Sequence, residues 1–201
     1  SFEWWTQASL THDLNLSSST VQGDIRKLLP SKIKKPIDFI VGSPPCTQFS
    51  YSNRGGSGDI SDGLKDIIKF FELVEYIRPK YWAMENVPRT ASVISKELSD
   101  GGKLEKFNKL CKPSMIQIYD FSEFGLPQKR KRCIIGNFDQ KLLQSYKSLI
   151  KKRTLGDVIA SLSSKQINDP NYSLTLSSNE VTDNEKESSL NFEEERYNTD
   201  S

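Results

Sequence analysis

The sequence predicts an α/β fold in which helices flank a parallel-dominated sheet. Two short apolar runs, 38–41 and 81–84, lead into polar or proline-containing segments that end a strand, and we expect the first run to be a buried strand. Between them, apolar residues recur at helical spacing from Gly63 to Ile77, until Arg78 and a proline stop the pattern. The order strand, helix, strand favours a parallel pair with a right-handed crossover and functional groups beyond the carboxyl ends of the strands.

Two more strands are predicted at 114–121 and 132–138, on either side of a glycine- and proline-containing basic segment. This arrangement is typical of an antiparallel, hairpin-like pair with a basic connection. Beyond Leu162 the composition changes to Ser, Asn, Asp and Glu. We therefore expect a partial catalytic domain at 1–160, and a linker or the start of a further region at 161–201.

The composition restricts the function classes. The chain has 201 residues, of which 35% are hydrophobic, enough for one domain with a core. A formal net charge of +2 is too small to indicate a polyanionic partner by itself. Three cysteines without a CxxC pair and a single histidine give no metal-ligand spacing, so we expect no metal site. Without a signal peptide or a long apolar run, we expect an intracellular protein that does not enter a membrane.

Cys46 stands just beyond the first predicted strand, after Pro44 and Pro45, and polar, glycine-rich sequence follows it. A thiol in such a loop is suited to nucleophilic attack when nearby amides and basic side chains stabilise the thiolate. A cysteine that simply fills the core is the alternative, and it is the commoner role for this residue type. The segment alone leaves both interpretations open.

Glu85 and Asn86 stand at the end of the second predicted strand. A carboxyl group in a partly closed pocket can act as a proton donor, whereas most glutamates are only solvated or cap a helix. Gln128, Arg130 and Arg132 alternate, so in an extended segment they would share one face. Paired guanidinium groups can bind phosphate or the edge of a base, and a solvated basic edge strand is the alternative.

Together and in this order, three segments resemble the signature blocks of the cytosine-5 DNA methyltransferase family. Residues 44–50 (Pro-Pro-Cys-Thr-Gln-Phe-Ser) resemble its nucleophile loop, 85–87 its Glu-Asn-Val block and 128–132 its Gln-x-Arg-x-Arg block. Segments 2–3 and 23–25 are similar to those that meet the ribose and the adenine of the family's cofactor. The resemblance extends to about residue 159 and includes Thr-Leu-Gly-Asp at 154–157, which resembles the exit from the catalytic core.

The resemblance implies a Rossmann-like methyltransferase fold that uses S-adenosyl-L-methionine and releases S-adenosyl-L-homocysteine. It implies methylation at C5 of a cytosine flipped out of double-stranded DNA, through a covalent bond from Cys46 to C6. Glu85 would protonate N3, and Arg132 would contact O2 with Arg130 close by. The resemblance also implies cofactor contacts by Glu3, Asp24, Ile25 and Pro44, and substrate contacts by Ser43, Pro45, Asn86, Val87 and Gln128.

The sequence departs from the family pattern in three places. The glycine-rich loop that holds the methionine part of the cofactor would precede Phe2, and a full target-recognition region is lacking. Thr47 occupies the place of the family's usual glutamine. We therefore expect an incomplete methyltransferase domain with a polar C-terminal tail.

Two further functions fit the same residues. One is a catalytically silent methyltransferase-like module that binds nucleic acid or a partner chain, which the missing cofactor loop suggests. The presence of Cys46, Glu85 and Arg132 together favours an enzyme over this alternative. The other is the same chemistry on RNA. For the enzyme we expect a role in restriction–modification or epigenetic methylation, in the cytoplasm or nucleoid of a bacterium or phage host, or in a eukaryotic nucleus.

Overall fold

A computed structural model describes residues 1–16, 19–34, 36–49 and 59–162 of the chain. Ser1–Val158 form one compact unit, and a second unit begins at Ile159. Most of the second unit, and so most of the predicted tail from residue 161, lies outside the described residues. In chain order the helices and strands are β1 (Phe2–Glu3), α1 (Thr6–Asn15), β2 (Val21–Gln22), β3 (Phe39–Gly42), α2 (Ile60–Ile77), β4 (Tyr81–Asn86), α3 (Arg89–Glu97), β5 (Ile116–Asp120), β6 (Lys131–Gly136), α4 (Gln140–Ser145) and α5 (Leu155–Leu162).

The strands form a two-stranded sheet, β1-β2, and a four-stranded sheet with the order β3-β4-β6-β5. β3 and β4 are parallel and joined through α2, which confirms the predicted crossover. β6 runs antiparallel to both β4 and β5. The α/β class is confirmed, but the four-stranded sheet is mixed rather than parallel-dominated. The reason is the short connection from β5 to β6, which can only join antiparallel neighbours.

Helix α2 covers one face of the four-stranded sheet and supplies much of the core. It starts at Ile60, before the predicted Gly63, because the Asp59 carboxylate accepts a hydrogen bond from the backbone N–H of Asp62 at 3.1 Å. It ends as predicted at Ile77, and the next residue, Arg78, adopts a left-handed conformation with φ of 54°. Its buried apolar side chains pack with those of β4, β6 and the segment after α3: Leu64, Ile67, Phe71, Val74, Trp82, Met84, Leu104, Phe107 and Ile135.

Strand β3 is not the buried strand that its apolar run predicted. Phe39 is 67% exposed and Val41 is 80% exposed. The reason is that β3 has a partner on one side only and lines an open cleft described below. The inner side of β3 is closely packed, since a Cβ atom on Gly42 would come within 2.7 Å of the Phe70 ring. Only glycine allows α2 to approach β3 this closely.

None of the helices in the described part of the chain combines the length and the apolar character that crossing a membrane requires.

Candidate active site

Glu85 and Arg132 form an ion pair at the carboxyl end of β4. Glu85 lies opposite Ile134 in the antiparallel pairing of β4 with β6. Because side chains alternate along a strand, Arg132 projects from the same face as Ile134 and is the diagonal neighbour of Glu85. Its Nε atom lies 2.8 Å from Oε1 of Glu85. The strand pairing therefore brings together the predicted acid and one predicted guanidinium.

Ser43 connects the end of β3 to the same carboxylate. The parallel register sets Gly42 opposite Met84, so the next residue on each strand, Ser43 and Glu85, are also neighbours. The Ser43 hydroxyl donates a hydrogen bond of 2.5 Å to Oε2 of Glu85. Both oxygens of the Glu85 carboxylate are thus held, one by β6 and the other by the loop that leads to Cys46.

Asn86 fixes the proline loop to β4 from the buried side. Its side chain is 1% exposed, and its amide nitrogen donates to the Pro44 carbonyl at 2.9 Å. Its side-chain oxygen accepts from the backbone N–H of Val87 at 2.9 Å and from the Thr90 hydroxyl at 2.8 Å. These bonds use most of the hydrogen-bonding capacity of the amide inside the protein. The geometry therefore makes Asn86 a support for the loop.

Cys46 has an exposed, free thiol in a turn beyond the prolines. The backbone N–H of Phe49 donates to the Cys46 carbonyl at 2.9 Å and closes the turn. Phe49 is fully buried against Gly63 of α2, where a Cβ atom would lie 2.7 Å from the phenyl ring. Because Cys46 follows Ser43 by three residues, its Cα lies at most about 11 Å from that of Ser43. The thiol is therefore exposed on the loop that Ser43 joins to Glu85. Ser50, the last residue of this predicted block, lies outside the described residues.

Arg130 and Gln128 do not share the strand with Arg132. β6 begins at Lys131, whose partner Asp120 is the last residue of β5. Gln128 and Arg130 are exposed and lie in the connection before β6, where the Arg130 carbonyl accepts from the backbone N–H of Phe121 at 3.0 Å. Gln128, Arg130 and Arg132 therefore do not share one face of a strand as predicted. Only Arg132 belongs to β6, because the pairing of β5 with β6 ends at Lys131.

An open cleft of about 850 Å³ lies next to this site, on the side of β3. Such a volume is within the range of pockets that hold ligands of cofactor size. Cys46, Glu85 and Arg132 are outside its walls, which end at Pro45. The cleft does bring together the four predicted cofactor-binding residues, Glu3, Asp24, Ile25 and Pro44, along with the apolar side chains of Phe39, Ile40 and Val41.

Two acidic residues of the cleft are held by the backbone around them. Oε1 of Glu3 accepts from the backbone N–H groups of Trp4 and Trp5, each at 2.9 Å. The Asp24 carboxylate accepts from the backbone N–H of Arg26 at 2.9 Å and caps the 3-10 turn Ile25–Lys27. Each carboxylate thus has a fixed direction at the cleft. These residues fit a ligand with hydroxyl and amine donors and an apolar ring system.

Arg26 ties this wall of the cleft to α2, and the sequence interpretation missed it. Its Nε and Nη2 atoms donate to the two Asp66 oxygens at 2.6 and 2.7 Å, and Nη1 donates to Asp62 at 3.0 Å. Asp66 is buried, at 8% exposure. Hydrogen bonds with Asp66 and then Asp62 raise the pKa of Arg26, and the bond from Arg26 is the main cause that lowers the pKa of Asp62. The only sequence signal is the pair of acids one helical turn apart.

The other two cysteines have a different environment from Cys46. Cys111 and Cys133 are both fully buried. Burial, assisted by the neighbouring Cys133, raises the pKa of Cys111 to about 12. Burial, assisted by the nearby Glu85 charge, raises the pKa of Cys133 to about 12. Both thiols are therefore neutral at physiological pH, and of the three cysteines only Cys46 is suited to attack a ligand. No group of three or more histidine, cysteine or acidic side chains that could hold a metal occurs in the described ranges.

A solved structure supports the fold class. The chain is similar to a DNA modification methyltransferase encoded within a prophage of E. coli, with 25% sequence identity and a TM-score of 0.55. The match covers 79% of this chain and 46% of that one. The fold and the site together define an α/β domain of the Rossmann-like methyltransferase class.

The family follows from the sequence comparisons. A family model described as C-5 cytosine-specific DNA methylase matches residues 1–200, so the chain belongs to that family. Type II methyltransferase M.HindV of Haemophilus influenzae is 35% identical over 145 residues, which are 70% of this chain and 45% of the relative. M.HaeII of Haemophilus aegyptius is 29% identical over 171 residues, 80% of this chain and 50% of the relative. The chain spans half or less of the length of these two relatives.

Proposed function

We propose that this chain is the catalytic part of a DNA (cytosine-5-)-methyltransferase that takes its methyl group from S-adenosyl-L-methionine. The observation that carries the proposal is the ion pair of Glu85 with Arg132, beside the loop that presents the exposed Cys46 thiol. The similarity of this chain to a type II methyltransferase and to a plant DNA (cytosine-5)-methyltransferase supports it.

The chemistry requires a nucleophile and an acid on one pyrimidine ring. C5 of cytosine is a poor nucleophile while the ring is aromatic. Addition of the Cys46 thiolate to C6 breaks the aromaticity and places electron density on C5, and a proton from Glu85 at N3 neutralises the developing charge. After C5 has taken the methyl group, loss of the C5 proton to a base, return of the N3 proton to Glu85 and expulsion of the Cys46 sulfur restore the aromatic ring.

Arg132 orients the base for this attack. In the protein alone, Arg132 and Glu85 satisfy each other. When a cytosine enters, the guanidinium donates to O2 while the carboxyl group meets N3, because C2, which carries O2, is bonded to N3. The two side chains already lie within hydrogen-bond distance of each other, so they can contact neighbouring atoms of one ring. Arg130 and Gln128, in the connection before β6, are proposed to contact the substrate backbone beside the base.

The cytosine must leave the DNA stack to reach these side chains. C6 of a stacked base is inaccessible, and extrusion of one nucleotide costs a few kcal/mol. The proline loop of Ser43, Pro44 and Pro45 is held by Glu85 and Asn86, so Cys46 is presented on a fixed support. Ser43, Pro45 and Val87 are proposed to border the extruded base.

The cleft beside β3 is the proposed cofactor site. Its carboxylates at Glu3 and Asp24 suit the ribose hydroxyls and the adenine amine, while Ile25 and Pro44 give apolar contact. When bound there, S-adenosyl-L-methionine supplies the electrophilic methyl group. Ser43, Pro44 and Pro45 of the proline loop line the cleft, so we propose that the donor and the base meet at this loop.

Methyl transfer by the full-length protein tests the proposal. The protein is incubated with duplex DNA and tritium-labelled S-adenosyl-L-methionine, and label in the DNA is counted for the parent and for Cys46→Ser. We expect the parent to label DNA and Cys46→Ser to lose transfer while its DNA affinity stays within about twofold. Cys111→Ala is the matched control, since that thiol is buried.

Other results would each exclude the proposal. Undiminished transfer by Cys46→Ser would refute the role of the thiol. Absence of cofactor binding by calorimetry would favour a silent binding module. Transfer to RNA without transfer to DNA would change the substrate.

A further inference from the structure

A second group of basic residues lies outside the site described above. Lys151, Lys152 and Arg153 are consecutive and exposed. The part of the chain that the structure describes shows no hydrogen bond or ion pair from their side chains to an acidic group. The helical pattern and the signature blocks that indicated the function do not include these residues.

The segment 151–153 has a defined position because α5 begins directly after it. The backbone N–H of Thr154 donates to the Asp157 carboxylate at 2.7 Å, and the backbone N–H of Asp157 donates to the Thr154 hydroxyl at 3.1 Å. This reciprocal pair is a capping box and fixes the entry to the helix. Hydrogen bonds from Thr154 lower the pKa of Asp157, and the nearby Lys151 and Arg153 add to the effect. Asp157 is thus already used as a cap.

The same segment packs against the connection that precedes β6. A Cβ atom on Gly125 would lie 2.9 Å from the Ile150 side chain and 3.5 Å from the Lys151 carbonyl oxygen. Gly125 has φ of 86°, the left-handed conformation that favours glycine, so the two segments approach without a side chain between them. Lys147 and Glu123 form an ion pair across the same boundary.

The connection brings its own cations to this boundary. Lys129, Arg130 and Lys131 are exposed, and the next residue, Arg132, forms the ion pair with Glu85. The carboxylate of Asp120, at the end of β5, accepts a hydrogen bond of 3.0 Å from the backbone N–H of Ser122. Two adjoining segments therefore carry six cations, three of which immediately precede Arg132 of the proposed base site in the sequence. We call them the basic surface: Lys129, Arg130, Lys131, Lys151, Lys152 and Arg153.

We propose that the basic surface binds the phosphate backbone of the DNA that flanks the extruded cytosine, with Lys151, Lys152 and Arg153 forming its outer part. This inference rests on the proposed function. Duplex DNA carries one negative charge per about 1.7 Å of its axis, so neighbouring phosphates can meet both segments at once. Lysine and arginine contacts to phosphate position the duplex without reading its sequence.

Salt dependence of DNA binding tests this surface. Affinity of the full-length protein for a duplex oligonucleotide is measured by fluorescence anisotropy at several KCl concentrations. For Lys151→Gln/Lys152→Gln/Arg153→Gln, we expect the slope of log affinity against log salt to become shallower by about 2, and affinity at 0.1 M salt to fall at least about tenfold. Arg130 stays unchanged in this variant because it belongs to the proposed base site.

A control variant with the same change in charge distinguishes the effect of losing this surface from the effect of a lower net charge. Lys103→Gln/Lys106→Gln/Lys109→Gln neutralises three other lysines, and two of these, Lys103 and Lys106, bond to Ser61 and Glu72 of α2. We expect its slope to change by less than about 1. An equal change in both variants, or an unchanged slope in the first, would overturn the inference. So would weakened binding of an RNA hairpin with unchanged binding of duplex DNA.

The result of the salt-dependence experiment is independent of the methyl-transfer test of the proposed function. A parent protein that methylates DNA while the 151–153 variant keeps the full slope refutes the basic surface alone. A parent protein that binds DNA through this surface but transfers no methyl group refutes the catalytic proposal alone.

Discussion

The Nε atom of Arg132 lies 2.8 Å from Oε1 of Glu85, across a diagonal of the antiparallel pair β4–β6. The pair is only partly buried, with 35% of the Glu85 side chain and 21% of the Arg132 side chain exposed. An ion pair open to solvent contributes little to the free energy of folding. Its position at the carboxyl end of a central strand suits a site that a polar ligand enters.

Glu85→Gln tests the proposed proton donor. The amide keeps an oxygen for the Ser43 hydroxyl but cannot transfer a proton to N3. We expect the rate of methyl transfer to fall by about 10² to 10⁴, with a much smaller loss of cofactor affinity. Tritium-methyl transfer and cofactor titration measure the two effects. Ser43→Ala, which removes one hydrogen bond and no proton donor, is the control and should lose far less rate. An unchanged rate for Glu85→Gln would exclude it as the acid.

Asn86→Ala tests the support of the proline loop. The change leaves the Pro44 carbonyl and the Thr90 hydroxyl without their buried partner, so we expect the free energy of unfolding to fall by about 2 kcal/mol. Thr90→Val is the control, because it removes a bond to Asn86 and leaves the bond to Pro44. Urea unfolding and methyl-transfer assays should show a loss of stability in both variants and a large loss of rate only in Asn86→Ala. Equal rates of methyl transfer in the two variants would show that the bond from Asn86 to Pro44 is not needed for catalysis.

Arg26→Ala tests whether the wall of the cleft must be tied to α2. We expect the dissociation constant for S-adenosyl-L-methionine to rise about tenfold, equal to about 1.4 kcal/mol, while the rate at saturating cofactor stays within about twofold. The variant should also be less stable, since it leaves Asp66 buried without a cation. Arg26→Ala with Asp66→Asn should recover stability without recovering affinity. Lys27→Ala, at an exposed neighbour, should change neither. An unchanged dissociation constant would refute the positioning role.

The buried cysteines predict how stability depends on alkaline pH. In the folded protein the pKa of Cys111 and that of Cys133 are about 12, against an ordinary value of 9.0. The unfolded chain therefore releases protons first, so stability is fully present below pH 9 and decreases as pH rises toward 12. Each thiol lowers the free energy of unfolding by about 1.4 kcal/mol for each pH unit in this range. Denaturant unfolding from roughly pH 8.5 to 10.5 should show a steeper loss of stability for the parent than for Cys111→Ala/Cys133→Ala. Equal slopes would contradict the assignment.

The sequence predicted the elements whose signal is local. The apolar spacing of α2 and the run that became β4 each show their period within a few residues, and both are present. The antiparallel pair β5–β6 followed from its glycine- and proline-containing connection. Helix α3 was missed because only Thr90 and Ile94 are buried along it, too few to show a helical period.

The residue types of the site and their order along the chain could be predicted from the sequence, but much of their spatial arrangement could not. Glu85 and Arg132 meet because of the β4–β6 register, which no local signal determines. The partner of Asp62 and Asp66 is Arg26, about forty residues away in sequence, and pairing over such a distance depends on the packed fold. The exposure of β3 likewise follows from its place at the sheet edge, since its apolar run is equally typical of a buried strand.

The most direct test of the account is a covalent bond between Cys46 and a cytosine. Fluorine at C5 cannot leave as a proton does, so attack on 5-fluorocytosine stops at the thiol adduct once the methyl group has transferred. The full-length protein is mixed with duplex DNA that carries 5-fluorocytosine at its methylation sites and with S-adenosyl-L-methionine, and the products are analysed by denaturing gel and peptide mass spectrometry. We expect a DNA adduct on the peptide that contains Cys46, and none with Cys46→Ala. An adduct that persists in Cys46→Ala, or no adduct under conditions where ordinary DNA is methylated, would contradict the account.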